Sequence, residues 1–213
     1  YGAIPENLYP LPHSGQVVAY ETTSGPLAVF VPAYIDTIWP NPGVRDGGQY
    51  TRVRLAVEAA GRFPKGTEFS WDFGDGQTAG GASVDHVYLS MGRFQARLTA
   101  TVGGKQQNVG WPIEVFEVQH VAGDIKQGQY PNYVKLASGY DLAKLDAANL
   151  GELVHLYGEG GDSQRAVTTG RSWVTRFGKI RPAQAPSVRR VLALAVLSNG
   201  DEGIDEAIAK GST

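Results

Sequence analysis

The sequence predicts a two-domain protein of the β + α class, in which a β-sandwich is followed by a small all-α array of helical hairpins. Two different spacings of the apolar residues, one in each half of the chain, support this prediction. Before residue 119, apolar and polar residues alternate, which is the period of half-buried strands. After it, apolar residues recur every three or four positions, which is typical of amphipathic helices. We expect a sandwich with an N-terminal extension over residues 1–118, a linker over 119–134 and a helical domain over 135–213.

The composition limits the classes of function. A chain of 213 residues with 42% hydrophobic residues can bury two modest cores. A net charge of −2 gives no general attraction for nucleic acid or membranes, so we expect neither as a partner. The absence of cysteine excludes disulfides and thiolate sites, and no apolar run is long enough to span a bilayer. Because the chain begins at Tyr1 and not at methionine, we expect a processed or excised piece.

Strands and turns can be placed individually in the first half. Val53, Leu55 and Val57 alternate with polar neighbours, and residues 93–102 repeat the pattern. Gly103-Gly104 lies between two such runs and predicts a two-residue hairpin turn, because glycine adopts a positive φ without steric cost. Short strands at this spacing favour a sandwich of about seven strands.

One motif within this half is specific. Trp71-Asp72-Phe73-Gly74-Asp75-Gly76 is followed by His86-Val87-Tyr88 and then by Gly92 and Phe94. On these residues, the segment from about 17 to 118 resembles the PKD (polycystic kidney disease) domain, an immunoglobulin-like β-sandwich common in extracellular and cell-surface proteins. The resemblance implies that Trp71 fills the core between the sheets and that Tyr88 anchors a corner through its hydroxyl.

Asp72 and Asp75 have two interpretations. Some proteins of the family bind calcium at this edge, so both aspartates are candidate calcium ligands. Residues 58–67, however, lack the aspartates that would complete the ligand set and carry two cations instead. We therefore favour a role in turn formation, in which these carboxylates accept hydrogen bonds from nearby backbone N–H groups. His86 is similarly expected to be structural, and no other cofactor is predicted.

The second half carries helix boundaries. Asp146 and either Asp162 or Ser163 are expected to cap helix N-termini, and Pro186 suits a first turn. Glycines are expected where helices end. They are Gly158, Gly178 and Gly200.

The helical segment also resembles tetratricopeptide-like repeats, whose period is about 34 residues. Leu150, Leu153, Tyr157 and Ala166 have the spacing of that hairpin. The pattern departs from the family at Val154, Gly170 and Trp173. An α-helical hairpin array is the prediction that does not depend on the family name.

A stretch without acidic residues, from Ser163 to Gly200, is a candidate patch for an anionic polymer or an acidic protein. On a helix Arg165, Ser172 and Arg176 share one face, with Trp173 and Phe177 nearby. The alternative is that the arginines solvate helix surfaces while both aromatic residues belong to the core. The seven cations are Arg165, Arg171, Arg176, Lys179, Arg181, Arg189 and Arg190.

The sequence contains no hydrolase elbow, zinc-protease motif, phosphate loop or dinucleotide fingerprint, so we predict no enzyme activity and no catalytic residues. The expected function is a non-catalytic interaction module of a larger parent, located outside the cell, in the periplasm or on the cell surface. Its partner would be a protein or a polysaccharide. Two alternatives remain, an accessory substrate-presenting region of a secreted protease or glycosidase and a structural spacer.

Overall fold

The structure is a computed structural model, and it divides into two compact units. The sandwich unit comprises residues 1–37 and 50–118, and the helical unit comprises residues 38–49 and 119–213. The structure describes residues 18–20, 28–38, 49–57, 60, 63–116, 130–179, 183 and 185–199. For residues 18–20, 28–38 and Trp111 it describes the backbone but not the side chains.

The described part of the sandwich unit contains two four-stranded sheets, with strand orders β1-β2-β3-β6 and β5-β4-β7-β8. The two sheets confirm the predicted fold class. They contain one strand more than the approximate count from the sequence, since β5 is too short to show an alternating pattern. In chain order the strands are β1 (Val18–Tyr20), β2 (Ala28–Ile38), β3 (Tyr50–Val57), β4 (Glu68–Asp72), β5 (Thr78–Gly80), β6 (Ser83–Tyr88), β7 (Gly92–Val102) and β8 (Lys105–Val115).

Trp71 lies in the sandwich core, as the PKD resemblance implied. Its side chain is 1% exposed, and its indole Nε1 donates a hydrogen bond to the carbonyl oxygen of Gly81 at 2.7 Å. The alternating residues of β3 and β7 supply much of the surrounding apolar surface. The buried members of this core are Val53, Leu55, Val57, Phe63, Trp71, Phe73, Tyr88, Ala96, Leu98, Ala100, Ile113 and Val115.

The hairpin predicted at Gly103-Gly104 is confirmed. Val102 and Lys105 are paired across the turn, and the two glycines have φ values of 55° and 79°. Positive φ at both central residues is the geometry of a type I′ turn, whose twist matches that of the flanking strands. The turn therefore sets the register of the long β7–β8 pair.

The predicted helical region after the sandwich is confirmed. Its resemblance to tetratricopeptide repeats stays a prediction. The first helix begins inside the predicted linker, with Pro131 in its first turn. None of the helices in the described ranges is long and apolar enough to cross a membrane. They are α1 (Tyr130–Ala137), α2 (Ala147–Glu159), α3 (Ser163–Phe177) and α4 (Ala185–Ser198), and a 3₁₀ turn, Leu142–Lys144, precedes α2.

The caps follow the sequence with one exception. Asp146 and Asp162 accept hydrogen bonds from the backbone N–H groups at the starts of α2 and α3, at 2.8 and 3.0 Å, and Gly178 caps the end of α3. Gly158 was predicted as a helix end, and this is wrong, since α2 continues to Glu159. A Cβ at Gly158 would lie 2.5 Å from Val191 Cγ1, so this glycine allows α2 and α4 to approach. Gly200 lies outside the described residues.

Candidate functional site

The turn after β4 is held by its own aspartates. Asp72 Oδ1 accepts a hydrogen bond from the Gly74 N–H at 2.9 Å, and Asp75 Oδ1 accepts one from the Gln77 N–H at 3.0 Å. Such bonds to the backbone two residues on are typical of Asx turns. The second oxygen of Asp75 lies 2.7 Å from His86 Nε2. Because a carboxylate only accepts, the imidazole N–H is the donor.

His86 sits in an aromatic stack at this end of the sandwich. Its ring is parallel to Phe73, with centroids 3.8 Å apart, and meets Tyr88 edge to face at 4.7 Å. Tyr88 in turn stacks on Phe94 at 4.3 Å and donates its hydroxyl to the carbonyl oxygen of Phe73 at 2.9 Å. The corner role implied for Tyr88 is thus visible, and the polar groups of the motif bond to one another.

Few oxygen atoms of the two aspartates are left for a calcium ion. One oxygen of Asp72 and both oxygens of Asp75 already accept hydrogen bonds, and the Asp75 side chain is only 8% exposed. Calcium requires six to eight oxygen ligands. In the described part of the chain, no group of three or more histidine, aspartate or glutamate side chains could hold a metal ion.

Calcium titration tests the turn-forming interpretation. We expect millimolar calcium to leave the melting temperature of the full chain unchanged, because a ligand stabilises a fold only if it binds the folded state. Differential scanning calorimetry with magnesium as the control cation measures this. A calcium-specific rise of several degrees would assign Asp72 and Asp75 to a metal site.

The predicted cationic patch is divided among different contacts. Arg165 forms a close ion pair with Asp162, and Arg176 donates to the carbonyl oxygens of Leu142, Ala143 and Leu145. These bonds hold the 3₁₀ turn against α3. Arg176 also lies 4.6 Å from the centroid of the Phe177 ring.

The other described members of the patch lie elsewhere in the helical unit. Arg171 lies about 120° around α3 from Arg165, given 3.6 residues per turn. Lys179 and Arg190 are exposed, Arg189 is half-buried on α4, and Arg181 lies outside the described residues. Trp173 is buried and donates its indole N–H to the carbonyl oxygen of Ala147 at 2.8 Å. Binding of an anionic partner by the patch as a whole stays a prediction.

Two adjoining clefts lie on the same side of the helical unit, with volumes of about 450 and 400 Å³. Sequence reasoning missed them, because their walls come from α1, the segment after it and the first turns of α3. Three residues, Ser138, Gln164 and Arg165, line both clefts. The first is lined further by Pro131, Val134, Lys135 and Gly160–Ser163, and the second by Tyr140, Leu142, Tyr157, Thr168 and Thr169.

A serine–histidine pair also occurs in this unit. Ser187 Oγ on α4 lies 3.1 Å from Nε2 of His155 on α2. His155 is buried, and neither residue lines the two clefts. The pair therefore joins two packed helices.

Tyr157 is held neutral at the base of the second cleft. Its hydroxyl donates to the carbonyl oxygen of Ala137 at 2.8 Å. Burial raises the pKa of Tyr157 to about 12, since the phenolate would lose its hydration. Within that net value, Arg165 lowers the pKa of Tyr157 and Asp162 raises it by a smaller amount.

The Tyr157 pKa predicts alkaline destabilisation of the helical unit. An unfolded tyrosine ionises near pH 10. Because the folded pKa is higher, the stabilisation is complete below about pH 10 and is lost as the pH rises to about 12. We expect a loss of about 1 kcal/mol in urea unfolding followed by circular dichroism. Tyr157→Phe removes the ionisable group, so an identical pH dependence in this variant would contradict the prediction.

The comparisons agree with this geometry. Two antiparallel sheets, a central tryptophan and a corner tyrosine define the class of immunoglobulin-like sandwiches. Residues 46–113 match the family model of the PKD domain, which confirms the resemblance over that stretch. No curated protein matches the chain.

Proposed function

We propose that the chain is a non-catalytic interaction module of a larger protein, located outside the cell, in the periplasm or on the cell surface, where it mediates protein or glycan contacts. PKD domains occur in extracellular and surface proteins, are generally non-catalytic and often take part in protein or carbohydrate contacts. The observation that carries the proposal is that the PKD motif serves the fold. Asp72, Asp75, His86 and Tyr88 all bond within the sandwich, which favours a scaffold that presents its outer surfaces.

The outward face of the second sheet supports this role. Ser70, Thr99 and Asn108 are aligned across three neighbouring strands, and Thr99 donates its hydroxyl to Asn108 Oδ1 at 2.6 Å. Hydroxyl and amide groups on a flat sheet offer donors and acceptors to a partner. We therefore assign contacts of this unit to the face of the sheet.

The free edge of β8 is less suited to binding a partner than the face of the sheet is. In the register set by the two-residue turn, even-numbered residues of β8 direct their backbone N–H groups away from β7. Pro112 occupies one of these positions and has no N–H to donate. A proline there discourages the addition of another strand.

Surface labelling tests the location. Intact source cells are treated with a membrane-impermeant amine-reactive biotin, and the chain is then isolated with a specific antibody. We expect biotin on the protein from intact cells or, for a periplasmic protein, from cells whose outer membrane alone has been permeabilised. Labelling only after the cytoplasmic membrane is disrupted would contradict the proposal.

Binding assays on the full chain separate an interaction module from a spacer. The immobilised protein is exposed to a panel of neutral and acidic polysaccharides and of purified extracellular proteins. We expect saturable binding to at least one of them. A spacer would bind none, so a uniformly negative panel would contradict the interaction role.

A further inference from the structure

We propose that the two clefts of the helical unit form one groove that binds an acidic glycan, with a uronate carboxylate at Lys135 and Arg165 and sugar hydroxyls at the polar side chains of α3. This inference rests on the proposed role as an interaction module and specifies its ligand. It assigns to the helical unit a site that the PKD domain does not contain.

The groove is continuous because its two clefts share residues on both walls. Ser138, after the end of α1, borders both clefts on one side. Gln164 and Arg165, in the first turn of α3, border both on the other. Each cleft, at about 450 and 400 Å³, falls within the size range of small-ligand sites.

A buried hydroxyl in the groove points to a polar ligand. Thr169 is 3% exposed and lines the second cleft. Its neighbour Thr168 donates to the carbonyl oxygen of Gln164 at 3.1 Å, whereas the Thr169 hydroxyl makes no hydrogen bond in the described part of the chain. A ligand hydroxyl in the cleft would supply that partner.

The charge of the groove favours an anion. Its charged lining residues are Lys135, Arg165 and Asp162, an excess of one positive charge. Asp162 caps α3 and pairs with Arg165, so the helix N-terminus is already occupied by a carboxylate. Lys135 is exposed at the end of α1 and remains as the cation without a neutralising carboxylate in the lining.

The remaining lining favours a sugar over a peptide. Ser138, Ser163, Gln164 and Thr168 provide hydroxyl and amide groups along the groove. Tyr140 and Leu142 provide an apolar border on which the C–H face of a sugar ring can pack. Ser138, Ser163 and Thr168 already donate their hydroxyl hydrogens within the chain, so each can accept a hydrogen bond from a sugar hydroxyl.

Calorimetric titration of the full chain tests the inference. The probes are an unesterified oligogalacturonide and its methyl-esterified counterpart of equal length, with a chelator present to exclude bridging by calcium. We expect saturable binding of the acid form and at least tenfold weaker binding of the ester, because esterification removes the charge and retains the ring hydroxyls. Equal binding of the two probes would overturn the inference.

Variants locate the site. We expect Arg165→Gln to weaken binding about tenfold and Thr169→Val, which keeps the side-chain shape, to weaken it severalfold. Arg190→Gln is the matched control, since it makes the same charge change on an exposed residue outside the groove. Thermal melting verifies that each variant is folded. Equal losses in Arg165→Gln and Arg190→Gln would show a general charge effect and overturn the site.

Failure of this inference is distinguishable from failure of the proposed function. If the oligogalacturonide does not bind but the wider panel gives a ligand, the groove assignment is wrong and the interaction role stands. Binding of an acidic peptide that Arg165→Gln and Thr169→Val abolish, without oligogalacturonide binding, would overturn the glycan assignment in favour of a peptide. Negative results in the titration and in the whole panel would contradict both.

Discussion

Replacing Trp71 with alanine is expected to lower the free energy of unfolding of the sandwich unit by about 3–5 kcal/mol. The indole fills the space between the two sheets and is 1% exposed, so its removal leaves a cavity. The variant also loses the hydrogen bond to the Gly81 carbonyl oxygen. Since a domain has a total stability of roughly 5–15 kcal/mol, the loss brings the sandwich close to unfolding at room temperature.

Urea unfolding followed by far-ultraviolet circular dichroism measures this effect. Trp71→Phe is the intermediate control, because phenylalanine fills part of the volume but cannot donate to Gly81. We expect its loss to lie between that of alanine and the native chain. An unchanged urea midpoint in Trp71→Ala would show that this side chain does not support the core.

Gly74→Ala is expected to destabilise the sandwich by about 3 kcal/mol or more. Gly74 has a φ of 80°, which side-chain-bearing residues rarely adopt. A Cβ there would also lie 2.6 Å from the backbone nitrogen of Gln95 and 2.7 Å from its carbonyl oxygen. Backbone atoms of a central strand cannot move away without disturbing the sheet.

Gly66→Ala separates the two causes. Gly66 has a similar φ of 86°, but a Cβ there would meet nothing within 4 Å. We expect this variant to lose only about 1 kcal/mol, the cost of the backbone conformation. Denaturant unfolding of both variants gives the comparison, and equal losses would contradict the close packing of the motif turn on β7.

The features that the sequence predicted correctly depend on neighbouring residues. Alternation identifies β3 and β7, and two consecutive glycines define the turn between β7 and β8. Asp146 and Asp162 could be predicted as caps because each bonds to the backbone three residues later. In all these cases the interacting groups lie close together in the chain.

The features that it missed depend on residues far apart. Gly158 has the composition of a helix end, but its role is set by Val191 on another helix. The carbonyl partners of Arg176 lie more than thirty residues earlier in the chain, where no local pattern indicates them. The groove is invisible to periodicity for the same reason, because α1 and α3 contribute its walls only after folding.

The central claim is that the polar residues of the PKD motif hold the sandwich together. A double-mutant cycle with Asp75→Ala, His86→Phe and the double variant tests it most directly. Both variants that lack Asp75 also lose the hydrogen bond from the Gln77 N–H, so this loss cancels in the coupling energy. From denaturant unfolding we expect a coupling energy of at least about 1 kcal/mol between the two side chains. Additive losses, with a coupling near zero, would contradict the claim.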